Sequence, residues 1–147
     1  FILGLCEFSS PLILQVISYP YSYPIISRVS MYASNAVFIV TNAGWWDKTP
    51  GHIQHLKIGA LRAIEHRRPI ARSANTGISA FIDINGRIHQ PTSYGETTAI
   101  KGAIIPETRI TFYTRWGDVV AKTAVLILCV VMLMALRFYL LKKLKSV

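Results

Sequence analysis

An α/β or α+β layered domain followed by one membrane-crossing helix is the fold class that this sequence predicts, and three observations carry it. Apolar runs and turn residues alternate in the order strand, helix, strand, hairpin, strand along residues 36 to 105. The dipeptide Asn85-Gly86 stands between two extended runs, which is a strong short-range hairpin signal. Residues 119 to 141, "VVAKTAVLILCVVMLMALRFYLL", are apolar almost throughout, and 23 helical residues cover about 35 Å, enough to cross a bilayer.

The first 40 residues are short apolar runs broken by serine, tyrosine and proline. Leu5 and Ile17 close runs that read as buried strands, while "YPYSYP" at 19 to 24 reads as a loop. Ala36 to Val40 is a clearer strand leading into Thr41-Asn42. Thr49-Pro50 then resembles an N-cap with proline at the first helical position, and a helix is predicted over about residues 50 to 67. Ile53, Leu56, Ala60, Leu61 and Ile64 recur at helical spacing and are expected to face inward, with Lys57, Arg62, Glu65 and His66 toward water. Arg62 and Glu65, at i and i+3, are placed to form an ion pair. After Pro69 come "IARS", a turn at 75 to 77, "ISAFIDI", the Asn85-Gly86 turn, "RIHQP", and a last predicted strand over 98 to 105.

Charge refines the membrane reading. The chain carries 16 Lys+Arg against 7 Asp+Glu, a net +9, which favours contact with phosphates. The basic residues are scattered or gathered beside the apolar helix and form no stripe, so lipid headgroups explain them better than nucleic acid does. Lys122 and Arg137 lie near the ends of the apolar stretch, where they can snorkel to water. Lys142, Lys143 and Lys145 place the C-terminus in the cytosol. The expected domains are therefore an outward-facing 1–118, a membrane helix at 119–141 and a basic cytoplasmic tail at 142–147. The chain begins at Phe1, with no visible cleavable signal, and reads as a fragment. Cys129 falls in the membrane helix and Cys6 outside it, so no disulfide framework is expected.

The stretch "NAGWWDKTPGHIQH" at 42 to 55 joins two tryptophans to His52 and His55. A zinc site built from His52, His55, His66 and His89 lacks both an HExxH motif and paired cysteines, and neither metal nor other cofactor is predicted. Trp116, just before the apolar helix, reads as an interfacial anchor.

Taken in order, "TNAGWW", "PGHIQH", "LRAIEHRRPIARSANTGISAFID", "NGRI" and "TFYTRWGD" before a terminal apolar helix resemble the C-terminal part of the apolipoprotein N-acyltransferase family. That family belongs to the nitrilase, or carbon-nitrogen hydrolase, superfamily. The resemblance covers about residues 36 to 141. It implies part of a nitrilase-like αββα sandwich, facing the periplasm of a bacterial inner membrane and anchored by a C-terminal transmembrane helix. It also implies two-step acyl transfer, in which a cysteine thiolate takes an acyl chain from a phospholipid and passes it to the N-terminal amine of a diacylated lipoprotein. Covalent catalysis of this kind divides one difficult transfer into two easier ones.

The family's glutamate base and stabilising lysine lie upstream of every motif present here, so this chain is not expected to act alone. Two positions compete for the nucleophile. Cys6 follows the apolar run "FILGL", and Cys6-Glu7 partly matches the family's Cys-Tyr-Glu. Alternatively Ser18-Tyr19-Pro20, after "LILQVI", occupies that place with better spacing to Asn42, which would put a hydroxyl where the family has a thiol. Trp45 and Trp46 are the expected substrate-binding residues at the mouth of the site. Ala43 departs from the family's Asn-Asp, Asn75 and Gly77 are expected to serve a turn, and Arg72 is expected to pair with a carboxylate. Two other readings remain: a membrane-anchored remnant without chemistry, and a nitrilase-type amidase.

Overall fold

In the computed structural model the described residues are 13–17, 23–32, 34–44, 47 and 49–144. Cys6, Ser18, Trp45 and Trp46, the four site residues expected from the sequence, lie outside them. The chain divides into two compact units, Phe1–Gly117 and Asp118–Val147.

The first unit is built on a five-stranded mixed sheet in the order β1-β2-β3-β4-β5. Its strands are β1 (Ile13–Ile17), β2 (Ala36–Thr41), β3 (Ile70–Ala74), β4 (Ala80–Ile82) and β5 (Ile88–His89). β1, β2 and β3 are mutually parallel, and the last two additions are antiparallel. Two crossover helices join the parallel strands, α1 (Pro24–Tyr32) and α2 (Gly51–His66), and α3 (Phe112–Trp116) packs against both. Parallel neighbours require such crossovers, because a tight turn can only reverse the chain.

Alternation along the strands assigns the two sheet faces. Val37, Ile39, Ile70, Ala80 and Ile82 are buried and join Met31, Leu56 and Ala63 in one core beneath the helices. Burying an isoleucine of this kind contributes about 2 kcal/mol. The opposite face carries Phe38, Val40 and Phe81, each only half-buried.

Several expectations are corrected. The loop read over 19 to 24 gives way at Pro24 to α1, because Pro24 is the first helical residue, where its missing N–H costs nothing. α2 begins after Pro50, which is itself the cap and has no side-chain capping bond. The larger correction concerns its faces. Ile53, Leu61 and Ile64 are 42 to 47 % exposed, while His52, His55, Gly59, Arg62 and His66 are buried with Leu56 and Ala63. Those seven positions share helical spacing of their own, and two of the buried histidines there are hydrogen-bonded, His55 with Arg72 and His66 with Thr114. Arg62 pairs with Glu65 as the spacing predicted.

The predicted strand over 98–105 is absent. Residues 97–111 carry no sheet or helix pairing and run as a strap past the half-buried sheet face. Gly102 lies so close to the Phe81 ring that a Cβ there would stand 2.7 Å from it. The strap is fastened by Glu107 N–H donating to the Asn35 carbonyl (3.0 Å) and by the buried Arg68, which donates to the carbonyls of Ser34 and of Arg109 (2.7 Å to the latter).

The hairpin at Asn85-Gly86 forms with a three-residue loop. Asp83 N–H reaches the Arg87 carbonyl (3.1 Å), and Gly86, at φ 78°, donates to the Asp83 carbonyl (2.9 Å). Glycine is suited to that left-handed position. The Asp83 carboxylate accepts from the Asn85 and Arg87 amides, and Arg67 binds Asn85 Oδ1 at 2.7 Å, pinning the end of α2 to the loop.

α3 is held by a hydroxyl relay. Thr111 Oγ1 donates to the Glu65 carbonyl (2.6 Å) and accepts from the Thr114 amide (3.0 Å), capping α3. Thr114 Oγ1 lies 2.8 Å from Thr111 and 2.9 Å from His66 Nδ1. Because the Thr111 proton is committed to Glu65, Thr114 donates to Thr111 and His66 donates through Nδ1–H to Thr114.

The second unit is α4 (Val119–Leu144), capped by the Asp118 carboxylate accepting from the Ala121 amide at 2.8 Å. Its Val119–Tyr139 segment, 21 residues, is long and apolar enough to cross a membrane. The protein is thus an α/β domain followed by a membrane helix.

Replacing Arg68 tests the fastening of the strap. Arg68→Met removes the donor from two carbonyls and should lower stability by about 2–4 kcal/mol. A shift in the denaturation midpoint of the full chain in lipid nanodiscs would measure it; an unchanged midpoint would show that the strap is held otherwise.

Candidate active site at the carboxyl edge of the parallel strands

In open α/β sheets the loops leaving the carboxyl ends of parallel strands form the natural crevice for a ligand. Here β2 ends at Thr41 and β3 at Ala74, with Thr41 paired to Ala74. One further bond, from Asn75 N–H to the Thr41 carbonyl (3.0 Å), holds the two loops side by side as they leave the sheet.

The loop after β2 turns at once, with Asn42 Oδ1 accepting from the Gly44 amide at 3.1 Å. Ala43 is fully buried, and the Gly77 backbone presses on it. A Cβ on Gly77 would lie 2.7 Å from the Ala43 methyl and 3.2 Å from that of Ala74. Ala43 therefore occupies a packed position. Asn75 and Gly77 do serve the turn, as expected.

A third loop closes over this pair. Ser79 Oγ accepts from the Ala74 amide (3.1 Å), and Ser79 and Thr92 exchange bonds, Ser79 N–H to Thr92 Oγ1 and Thr92 N–H to the Ser79 carbonyl, both at 3.0 Å. Gly95 N–H then reaches the Thr76 carbonyl at 2.9 Å. Tyr94 packs against His52 with the rings tilted at 46° and their centroids 4.6 Å apart. Sequence reasoning missed this third loop, since "PTSYGE" carries only turn residues and its partners lie far away in sequence.

Beneath the loops lies a buried polar layer. Arg72, on β3, donates from Nε to the Ile78 carbonyl (3.0 Å) and lies with Nη2 3.0 Å from His55 Nδ1 on α2. Burial, and then the neighbouring guanidinium, push the His55 pKa down to about 4, so the ring is neutral at pH 7 and accepts the Arg72 proton. Arg72 thereby ties the 75–78 turn to the first turns of α2. It is a positioning residue.

The four histidines do not converge. His66 is engaged with Thr114 at the other end of α2, and His89 lies 3.2 Å from Asp83 on the hairpin. Among the described residues no three His, Cys, Asp or Glu side chains gather as a metal-ligand group.

Comparison with known proteins gives the site its context. The carbon-nitrogen hydrolase family matches residues 14–114. The chain is 33 % identical over 116 residues to the apolipoprotein N-acyltransferase of Geobacter metallireducens, covering 78 % of this chain and 22 % of that one. It is 34 % identical over 129 residues to that of Rhodopseudomonas palustris (88 % and 24 %), and 44 % identical over 82 residues to that of Chlorobaculum tepidum (56 % and 15 %). The chain thus spans between 15 % and 24 % of the length of these curated relatives.

Two expected outcomes follow. Gly77→Ala should separate the 42–44 and 75–77 loops and cost about 1–3 kcal/mol by overpacking. Ala43→Gly removes the methyl that the new Cβ meets and should recover part of that loss, as read in a double-mutant cycle; strict additivity would show that the two loops do not press on each other. The second concerns pH. His55 and His66 are each pushed down to about 4, by burial first and neighbouring arginines second. A histidine whose folded pKa lies below its unfolded value contributes stability above pH ~6.5 and loses it as pH falls toward ~4. The unfolding midpoint should therefore fall steadily over that window, and His55→Gln, which keeps an acceptor for Arg72, should flatten the decline. A variant that kept the full slope would clear His55 of any part in it.

Proposed function

Because the chain belongs to the carbon-nitrogen hydrolase family, we propose that it is the C-terminal part of a membrane-bound apolipoprotein N-acyltransferase, with Ser18 at the position of the nucleophile. In this reading a phospholipid supplies the acyl chain and the N-terminal amine of a diacylated lipoprotein receives it. The domain lies on the periplasmic side of the inner membrane, and the lysine-rich end of α4 lies in the cytosol. Upstream residues of the longer polypeptide contribute the glutamate base and the stabilising lysine. The observation that carries the reading is the carboxyl edge of three parallel strands with the loops after β2 and β3 bonded across it.

Several observations support Ser18 over Cys6. In the sequence Ser18 comes directly after Ile17, the last residue of β1, which is paired with Val40 of β2. α1 follows shortly afterward, and a strand-to-helix elbow is where an exposed nucleophile is commonly held. The family match begins at residue 14, after Cys6. In the sequence Trp45 and Trp46 follow Gly44, and amphipathic rings of this kind suit an acyl chain.

A serine in place of a thiol has a chemical consequence. A hydroxyl is a weak nucleophile unless a base takes its proton, whereas a thiolate is available near neutral pH. The same substitution supports a second reading, a family member that keeps the fold and the anchor but has lost acyl transfer. An amidase reading gains nothing comparable from α4.

N-acylation of a diacylated lipopeptide by the full-length polypeptide, with phospholipid as donor, tests the proposal. Ser18→Cys should raise product formation at least about ten-fold and yield an acyl-enzyme cleaved by neutral hydroxylamine, while Cys6→Ser should leave activity unchanged. Loss of activity in Cys6→Ser would return the nucleophile to residue 6. No product from either the natural protein or Ser18→Cys, with folding verified, would favour the silent family member.

A further inference from the structure

Exposed apolar residues of the first unit lie on α2, on the hairpin and on the strap, and five of them stand together on two helices in contact, α1 and α3. On α1, Ile25, Val29 and Tyr32 stand at i, i+4 and i+7, while Ser27 and Met31 on the other side are buried. On α3, Phe112 and Trp116 stand at i and i+4, with Thr114 buried behind them. All five outward residues are between 53 and 74 % exposed. Arg28 of α1 donates to the Arg115 carbonyl of α3 at 3.1 Å, so the two stripes adjoin. Together they form an apolar and aromatic patch with Arg28 and Arg115 within it.

We propose that this α1–α3 surface is a membrane-seating face, lying in the headgroup and upper acyl region of the bilayer that α4 crosses. The path of the chain argues for that occupant. Only Gly117 and Asp118 separate Trp116 from Val119, where the apolar span begins, and three residue steps cover at most about 10 Å. Trp116 and its neighbours on α3 therefore stay within reach of the interface however the domain turns. Composition agrees with this placement. Tryptophan, tyrosine and phenylalanine beside arginine suit the boundary between headgroup phosphates and hydrocarbon, and the net charge of +9 favours an anionic surface. A second copy of the chain or another polypeptide would have no such reason to be at this place. The inference rests on α4 crossing the membrane and not on acyl transfer, so it stands or falls independently of Ser18.

The full chain carrying Cys6→Ser and Cys129→Ser provides the background for the test. A polarity-sensitive NBD label is placed through Val29→Cys, Phe112→Cys or, on the exposed side of α2, Lys57→Cys, in vesicles of phosphatidylethanolamine and phosphatidylglycerol. A doxyl group near the lipid headgroup should quench the label at 29 and 112 about two-fold or more and leave that at 57 nearly unquenched. Equal quenching at all three sites, or none, overturns the proposal. Shielded fluorescence at 29 and 112 without doxyl quenching also overturns it, indicating a second copy if the shielding grows with protein density and another part of the same polypeptide if it does not. Hydroxyl-radical footprinting of the unaltered chain in the same vesicles guards against misfolded variants: low oxidation at Tyr32, Phe112 and Trp116 is expected, and ready oxidation would contradict the seating.

Discussion

A single buried guanidinium, that of Arg68, determines how the ends of several segments meet. It follows the left-handed cap of α2 at Arg67 and precedes Pro69, so it stands where a helix must stop and a strand must begin. From there it donates to the carbonyl at Ser34, at the entry to β2, and to that at Arg109, ahead of α3. Burial presses its pKa down and the nearby Glu107 carboxylate opposes that, so the cation is kept by acceptors arranged around it. Because an unmatched buried charge is so costly, the three segments cannot drift independently. The amino edge of the sheet is consequently the fixed end of the domain. Loops at the opposite, carboxyl edge inherit a rigid platform and can be specialised for chemistry.

That division explains the polar layer between α2 and the sheet. A helix facing a sheet usually presents aliphatic residues, yet α2 presents three histidines and an arginine. Their partners come from different elements: Arg72 from β3, Glu65 from the helix itself, and Thr114 from α3. Hydrogen bonds carry direction where aliphatic packing does not, so such a layer sets the rotation of the helix as well as its distance from the sheet. The loops at the carboxyl edge are positioned by this layer, since Arg72 grips both the 75–78 turn and the helix.

The parts of this architecture that were legible in the sequence were those with local causes. β2 and the hairpin are specified by β-branched runs and by Asn85-Gly86, α4 by an unbroken apolar stretch, and the family by the order of its motifs. The face of α2 was misread because apolar periodicity was given precedence over the equally regular series His52, His55, Gly59, Arg62, His66, whose partners lie up to 48 residues away. α1 was hidden by prolines taken as breakers, although a proline at a helix start is compatible with it. In the strap, "TAIKGAII" has strand composition, and nothing local reveals that Gly102 lies against an aromatic ring. At the candidate site, Asn75 and Gly77 were placed correctly as turn residues. The third loop, and Tyr94 against His52, depended on contacts that no short window contains.

The strap also bears on the order in which the molecule can assemble. Its fastenings join Glu107 to Asn35 and Arg109 to Arg68, the adjoining α3 joins Thr114 to His66, and each closes a long loop whose entropy must be spent before the bond forms. Arg68 is left without one of its acceptors, and His66 without its threonine, until those late residues have been synthesised. The sheet can collapse early around its aliphatic core, but its polar joints are completed only by the segment that immediately precedes the membrane helix. The last twenty or so residues of the domain thus serve as its clasp.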